Sequence, residues 1–305
     1  MLPTFCGSAC YRGGSTVSAF IISNEKYGMT TTGNAAETFV VPGHAGNIHV
    51  RLWEPMTTPR GVIFFVHGYA EYGGRYEHVA TGLRDQGFSV VAADHVGHGH
   101  SEGERALIHD FGDVVSDLGE VVSVVQARYP RVPLVMIGHS MGGLITARFI
   151  QKWPERLHGA AFLGAVLGDW QWARDVLALP ELPEADSDPS GMSRDAAVCA
   201  DYANDPLVYH GSYKRQLLVA EVAALDQFQM ELDRITIPVA VFHGDADPFV
   251  PFEPTVEAVK SMPSMDQRIK VYAGARHELV NETNRDEVID DLHRWIDGLL
   301  ASLRP

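Results

Sequence analysis

Three short stretches carry residue types that together could move an acyl group. The first is Gly138-His139-Ser140-Met141-Gly142-Gly143, where a serine stands between glycines at G-x-S-x-G spacing. An apolar run, Pro133–Ile137, precedes it, and an apolar-periodic stretch begins at Gly142. A nucleophilic serine at a tight strand-to-helix turn requires that setting. Glycines two positions before and after leave room for the strained backbone and for substrate, and the following helix aims its positive end at developing negative charge. The bland alternative, a glycine-rich turn, gains nothing from having a strand before it and a helix after it. A serine hydroxyl is a weak nucleophile until a base takes its proton, so a histidine and an orienting carboxylate must follow. They occur in His243-Gly244-Asp245-Ala246-Asp247-Pro248 and Ala273-Gly274-Ala275-Arg276-His277-Glu278, each just past an apolar run. His277 is the candidate base. Asp245 and Asp247 are both within reach of its loop, so spacing alone leaves the carboxylate open.

The oxyanion formed by such an attack needs two backbone N–H donors, one from the residue after the nucleophile and one from an early loop. Met141 supplies the first. Tyr69, in the loop His67-Gly68-Tyr69-Ala70-Glu71-Tyr72-Gly73-Gly74-Arg75, supplies the second. The run Asp94-His95-Val96-Gly97-His98-Gly99-His100 gathers metal-ligand residue types but lacks the i, i+4 helical spacing of a metalloprotease site, and a Gly-rich loop bordering the serine explains it better. No metal site is expected.

Positioning these loops requires a sheet. Ile48–Trp53, Val62–Val66, Ser89–Asp94, Pro133–Gly138, Ala160–Ala165, Pro238–His243 and Arg268–Tyr272 are short apolar runs that read as strands. Between them, Tyr76–Gln86, Val114–Tyr129, Gly142–Trp153, Glu253–Ser261 and Arg285–Leu303 show apolar residues at helical spacing. In the last, Val288, Ile289, Leu292, Trp295, Ile296 and Leu299 form one stripe, read as core packing. Alternating strands and helices predict an α/β fold with a mostly parallel central sheet flanked by helices. The regularity breaks from Val166 to about Arg234, where a Pro- and acid-rich stretch, Leu179 to Gly191, is followed by helical patterns at Arg194–Tyr202 and Tyr213–Met230. This reads as a small helical cap inserted before the penultimate strand, over the carboxyl edge of the sheet where open α/β folds bind ligands. The expected division is an N-terminal extension over 1–35, a catalytic domain from 36–165 and 235–305, and a cap over 166–234.

The chain has 305 residues, a net charge of −15 and 46% hydrophobic residues, which describes a folded protein without the basic footprint that nucleic acid requires. Cys6, Cys10 and Cys199 are too few for a disulfide framework. No run reaches the 18 apolar residues of a membrane span, so no integral membrane segment is expected. The first 28 residues lack a basic n-region and an A-x-A site. A soluble cytoplasmic protein is the expectation, with secretion left open by that unassigned extension and homo-oligomerisation left open altogether.

Together, His67-Gly68, Asp94 to Gly103, Gly138 to Gly143, His243 to Asp247 and Gly274 to Glu278 resemble the monoacylglycerol lipase and lysophospholipase family, over about residues 40 to 300. The resemblance implies an α/β-hydrolase fold with a lid and no metal or organic cofactor. It also implies hydrolysis of monoacylglycerols or related single-chain, lipid-derived esters. On the same resemblance the triad acid is Asp247, and glycerol-end contacts fall on Glu71 and Arg75. Two departures stand out. Val280 occupies a position where these lipases often carry a second histidine, and the stretch from Gly168 to Met192 is short and acidic and opens with Trp170 and Trp172. These departures favour a general carboxylesterase or lysophospholipase on short- to medium-chain esters as the alternative. A non-catalytic binding protein of the same fold is the rival of a different class, and it typically lacks a nucleophile, acid or base, all of which this chain retains in order.

Overall fold

The structure, a computed structural model, describes residues 36–184 and 188–303. The expected N-terminal extension over 1–35, with Cys6 and Cys10, lies outside the described residues. In chain order the elements are strands β1 (Glu37–Gly43), β2 (Gly46–Trp53) and β3 (Gly61–Val66), helix α1 (Glu77–Asp85), strand β4 (Phe88–Ala93), helix α2 (Phe111–Arg128) and strand β5 (Leu134–His139). Helix α3 (Met141–Lys152), strand β6 (Gly159–Leu163) and helices α4 (Gln171–Ala178), α5 (Ala196–Asn204) and α6 (Arg215–Met230) follow. Strand β7 (Val239–Gly244), helix α7 (Phe252–Lys260), strand β8 (Gln267–Tyr272) and helix α8 (Arg285–Ser302) complete the chain.

The eight strands form one sheet in the order β1-β2-β4-β3-β5-β6-β7-β8. β2 pairs antiparallel with β1 and β4, and the six strands from β4 to β8 are parallel. Parallel strands must be covered on both faces, which explains their unbroken apolar runs. In β3, Val62, Phe64 and Val66 enter a core shared with α2, α3 and α6, while Ile63 and Phe65 enter a second core shared with α1 and α8. The α8 stripe lies in that second core: Val288, Leu292, Ile296 and Leu299 are buried, with Ile289 and Trp295 packed against them.

Two elements differ from the sequence pattern. β1 precedes the first expected strand, because Pro42 and Gly43 cut its apolar run to Phe39–Val41. A proline is tolerated on such an edge strand, and pairing with β2 across the Gly43–Gly46 turn supplies what local pattern does not. Helix α4 was likewise unforeseen, since only Ala173 and Val176 of its eight residues are buried.

Candidate active site

Ser140 lies between β5 and α3 with φ 53° and ψ −124°, a backbone conformation that L-residues rarely adopt. Such strain persists only where surroundings enforce it. Here the Ser140 N–H donates to Leu163 O at 3.1 Å, and its carbonyl accepts from Gly143 N–H at 2.9 Å and Val166 N–H at 3.1 Å. The glycine two residues on is required by packing, since a Cβ on Gly142 would stand 2.1 Å from Val66 O. Met141 opens α3, so its N–H has no intrahelical acceptor. Among the described residues neither the Met141 nor the Tyr69 N–H donates a hydrogen bond outside regular structure.

His277 lies in the loop after β8 and Asp247 in the loop after β7. Their side chains meet, with His277 Nδ1 2.7 Å from Asp247 Oδ2, and both are buried. Asp247 Oδ1 also accepts from the Phe249 and Val250 N–H groups. Burial would lower the His277 pKa, but the charge and hydrogen bond of Asp247, with Glu278 and Glu71 behind, raise it above the ordinary 6.5. Burial would raise Asp247, and the His277 charge and hydrogen bond outweigh it and hold the carboxylate ionised. Asp245 faces another way: its Oδ1 accepts the Gly274 N–H at 2.6 Å.

Around this pair the loops brace one another. A Cβ on Gly164, which has φ +51°, would stand 2.9 Å from His277 O and 3.5 Å from Asp247 Oδ2, so the loop after β6 closes tightly beneath it. The His277 loop is also clasped by the segment before α5, where Met192 O accepts from Glu278 N–H at 2.8 Å and Ser193 O from Arg276 Nη1 at 3.1 Å. Sequence patterns carry no signal for Gly164 or for this clasp.

Glu71 and Arg75 have partners inside the protein. Glu71 Oε1 accepts from Gly68 N–H at 2.7 Å and Tyr76 O–H at 2.8 Å. Arg75 Nη2 reaches both oxygens of Glu278, at 2.8 and 2.6 Å, and Tyr202 of α5 lies over the guanidinium. Burial, then the nearby Glu278 charge, pushes Glu71 up to about 7 against the pull of Arg75. Val280 is buried in the second core, and its carbonyl faces His78 Nε2 at 2.9 Å.

The histidine-rich stretch is a buttress. Asp94 is fully buried, bonded by Arg51 Nη1 at 2.6 Å and by the Gly73 and His100 N–H groups. His67 Nε2 accepts from His95 N–H, which leaves its Nδ1–H to donate to Gly68 O at 2.8 Å. That bond fixes the peptide plane that carries the Tyr69 N–H. Burial holds His67 well below 6.5 and His95 and His98 at about 3 and 4, so all three rings are neutral.

A protein-family model described as serine aminopeptidase, S33, matches residues 57–284. The chain is 34% identical over 254 residues to a monoacylglycerol lipase of Mycolicibacterium smegmatis, covering 80% of this chain and 91% of that one. It is 33% identical to a monoglyceride lipase of Rattus norvegicus, covering 82% and 87%. The chain belongs to the monoacylglycerol lipase family of α/β-hydrolases. Among solved structures, a carboxyl esterase from Bacillus coagulans in complex with glycerol has a TM-score of 0.77 at 24% identity, covering 87% and 99% of the two chains. A soluble variant of the Saccharomyces cerevisiae monoglyceride lipase has a TM-score of 0.76 at 21% identity, covering 90% and 98%. The strand order and the likeness to these folds make this an α/β-hydrolase, and the family makes it an ester hydrolase. Among the described residues of this family member, no helix is long and apolar enough to cross a membrane.

Proposed function

We propose that this hydrolase cleaves monoacylglycerols and related single-chain carboxylic esters through an acyl-enzyme, with Ser140, His277 and Asp247 as its triad. The observation that carries the reading is the buried 2.7 Å contact between His277 Nδ1 and Asp247, on loops that flank the strained Ser140 turn. With Nδ1–H committed to Asp247, His277 Nε2 is the free base. It takes the Ser140 proton as Oγ attacks the ester carbonyl, and returns that proton to the leaving alkoxide. The Tyr69 and Met141 N–H groups receive the oxyanion, and water activated by the same Nε2 releases the acid. Residues 36–165 and 235–305 supply this machinery, and 166–234 act as the cap over it.

The headgroup contacts suggested for Glu71 and Arg75 take a weaker form, and Val280 leaves that end without a second histidine. Glu71 and Arg75 are better engaged in holding the oxyanion loop to the base loop, and Val280 offers only apolar surface. A preference for short- to medium-chain esters has its own support, since Trp172 and Leu179 of the cap are exposed and α4 buries little. Each buried methylene contributes about 0.8 kcal/mol, so a thin apolar lid gives a long chain little advantage.

An organophosphonate ester probe tests the reading. It is expected to label Ser140, and Ser140→Ala is expected to lose both labelling and turnover of monoacylglycerol. Labelling at another serine would overturn the assignment.

A further inference from the structure

Helices α2, α3 and α6 enclose a groove of 560 Å³, a volume in the range of small-molecule sites. Its floor is apolar: Phe111 and Val115 of α2 and Ala220 and Ala224 of α6 line it and are buried. Val219 and Ala223 also line it and are exposed, so they form its rim. The short side chains at 220, 223 and 224 leave the space open, where larger ones would fill it against the first turns of α2.

The charged lining is unbalanced. Arg148 and Lys152, one turn apart on α3, and Arg234 just past α6 share the groove with Glu231. Glu231 already accepts from Arg148 at 3.1 Å and from Arg234 at 3.4 Å. Lys152 is left over. Its Nζ donates to the Ser116 hydroxyl at 2.8 Å and lies 4.4 Å from the Trp153 ring, and among the described residues no carboxylate pairs with it. The other lining carboxylate, Asp110, is engaged at the start of α2, where it accepts the Gly112 N–H at 2.7 Å. In a chain of net charge −15, this gives an apolar trough with a cationic group in need of an anion.

We propose that this groove binds a long-chain fatty carboxylate, the acid that ester hydrolysis releases, with its head at Lys152 and Arg148 and its chain over Ala220 and Ala224. A carboxylate gives Lys152 a charged partner, and the chain covers apolar floor that water otherwise wets. From Val219 to Met230 the helix runs roughly 17 Å at 1.5 Å per residue, room for an extended chain. The site is separate from the reaction centre, because Arg148 and Lys152 stand about 10 and 16 Å along α3 from Met141 at the same rise. The choice of ligand rests on the ester hydrolysis described under Proposed function.

The test is calorimetric titration of monomeric dodecanoate into full-length enzyme whose Ser140 has first been capped by an organophosphonate, so that the reaction centre is filled. One equivalent is expected to bind. Decanoate, two methylenes shorter, is expected to bind about tenfold more weakly, and dodecyltrimethylammonium, with the opposite charge, not at all. Lys152→Glu is expected to weaken dodecanoate binding at least tenfold. Ala223→Phe, at an exposed position where the larger side chain leaves the core intact, is expected to abolish it by filling the groove. Both variants keep wild-type turnover of a short ester. Absence of binding, equal affinity for the cationic amphiphile, or affinity unchanged in both variants would overturn the proposal. So would a Val219→Glu variant that alters the mass of the protein in solution and leaves dodecanoate binding intact, since the groove would then be an interface between copies of the chain. Failure of the phosphonate to label Ser140 sinks the triad, and the groove variants still decide dodecanoate binding. Labelling at Ser140 with no effect of those variants sinks the groove alone.

Discussion

The His277 loop and helix α4 are built in opposite ways. Around His277, groups meet in matched pairs: Asp247 on the imidazole, Glu278 on Arg75, and the Met192 and Ser193 carbonyls on the Glu278 N–H and the Arg276 side chain. Helix α4 has an exposed Trp172, two buried side chains and an ion pair on the surface between Arg174 and Asp226. Exposed pairs of that kind contribute little. The contrast teaches that the proposed catalytic loops are fixed by internal charge pairing, while the surface of α4 is free to vary at small energetic consequence.

If that contrast holds, changes at the proposed triad have the largest effects. Ser140→Ala should lower kcat by about 10⁴-fold or more on any ester, as loss of a nucleophile does elsewhere. Asp247→Asn should cost about 10⁴-fold by misdirecting the imidazole tautomer, while Asp245→Asn, removed from the histidine, should be mild. Steady-state kinetics on one short ester decide it, and a more damaging Asp245→Asn would break the scheme.

The candidate residues of this centre can be named from the sequence. Ser140, His277 and Met141 stand out because each depends on a local strand–loop–helix pattern. The choice between Asp245 and Asp247 was not legible from spacing, since both share one loop and only the fold decides which carboxylate faces the histidine. The pairing of Arg75 with Glu278 was equally hidden, being a contact between residues 203 positions apart.

A pH profile probes the next level of effect. On the proposed mechanism catalysis needs neutral His277, and nearby carboxylates raise its pKa, so kcat/KM should rise with pH through a midpoint above 6.5. Removing a negative neighbour lowers that pKa. Glu278→Gln and Glu71→Gln should therefore move the midpoint to lower pH, by less than Asp247→Asn does. A midpoint that moves upward in either variant would show that the ion network does not act on the base.

The smallest effects are expected at the proposed cap. Trp172→Ala should change the ratio of kcat/KM between octanoyl and acetyl esters by only a few-fold, leaving Tm and acetyl-ester kcat nearly untouched, because Trp172 is 43% exposed. A large loss of stability would mean that α4 is as firmly built as the base loop.

By itself the sequence determined the alternation of strands and helices, the serine turn, and which loops could hold a base, because these rest on local periodicity and on glycines at fixed spacing. The tertiary structure decided which carboxylate meets His277. It also decided that β1 closes the sheet edge, that His67 fixes the Gly68–Tyr69 peptide, and that the buried Glu221 Oε2 has no hydrogen-bond partner among the described residues. The physical reason is common to all four. Burial and long-range hydrogen bonding depend on which distant segments the sheet order brings together, and no local pattern encodes that order.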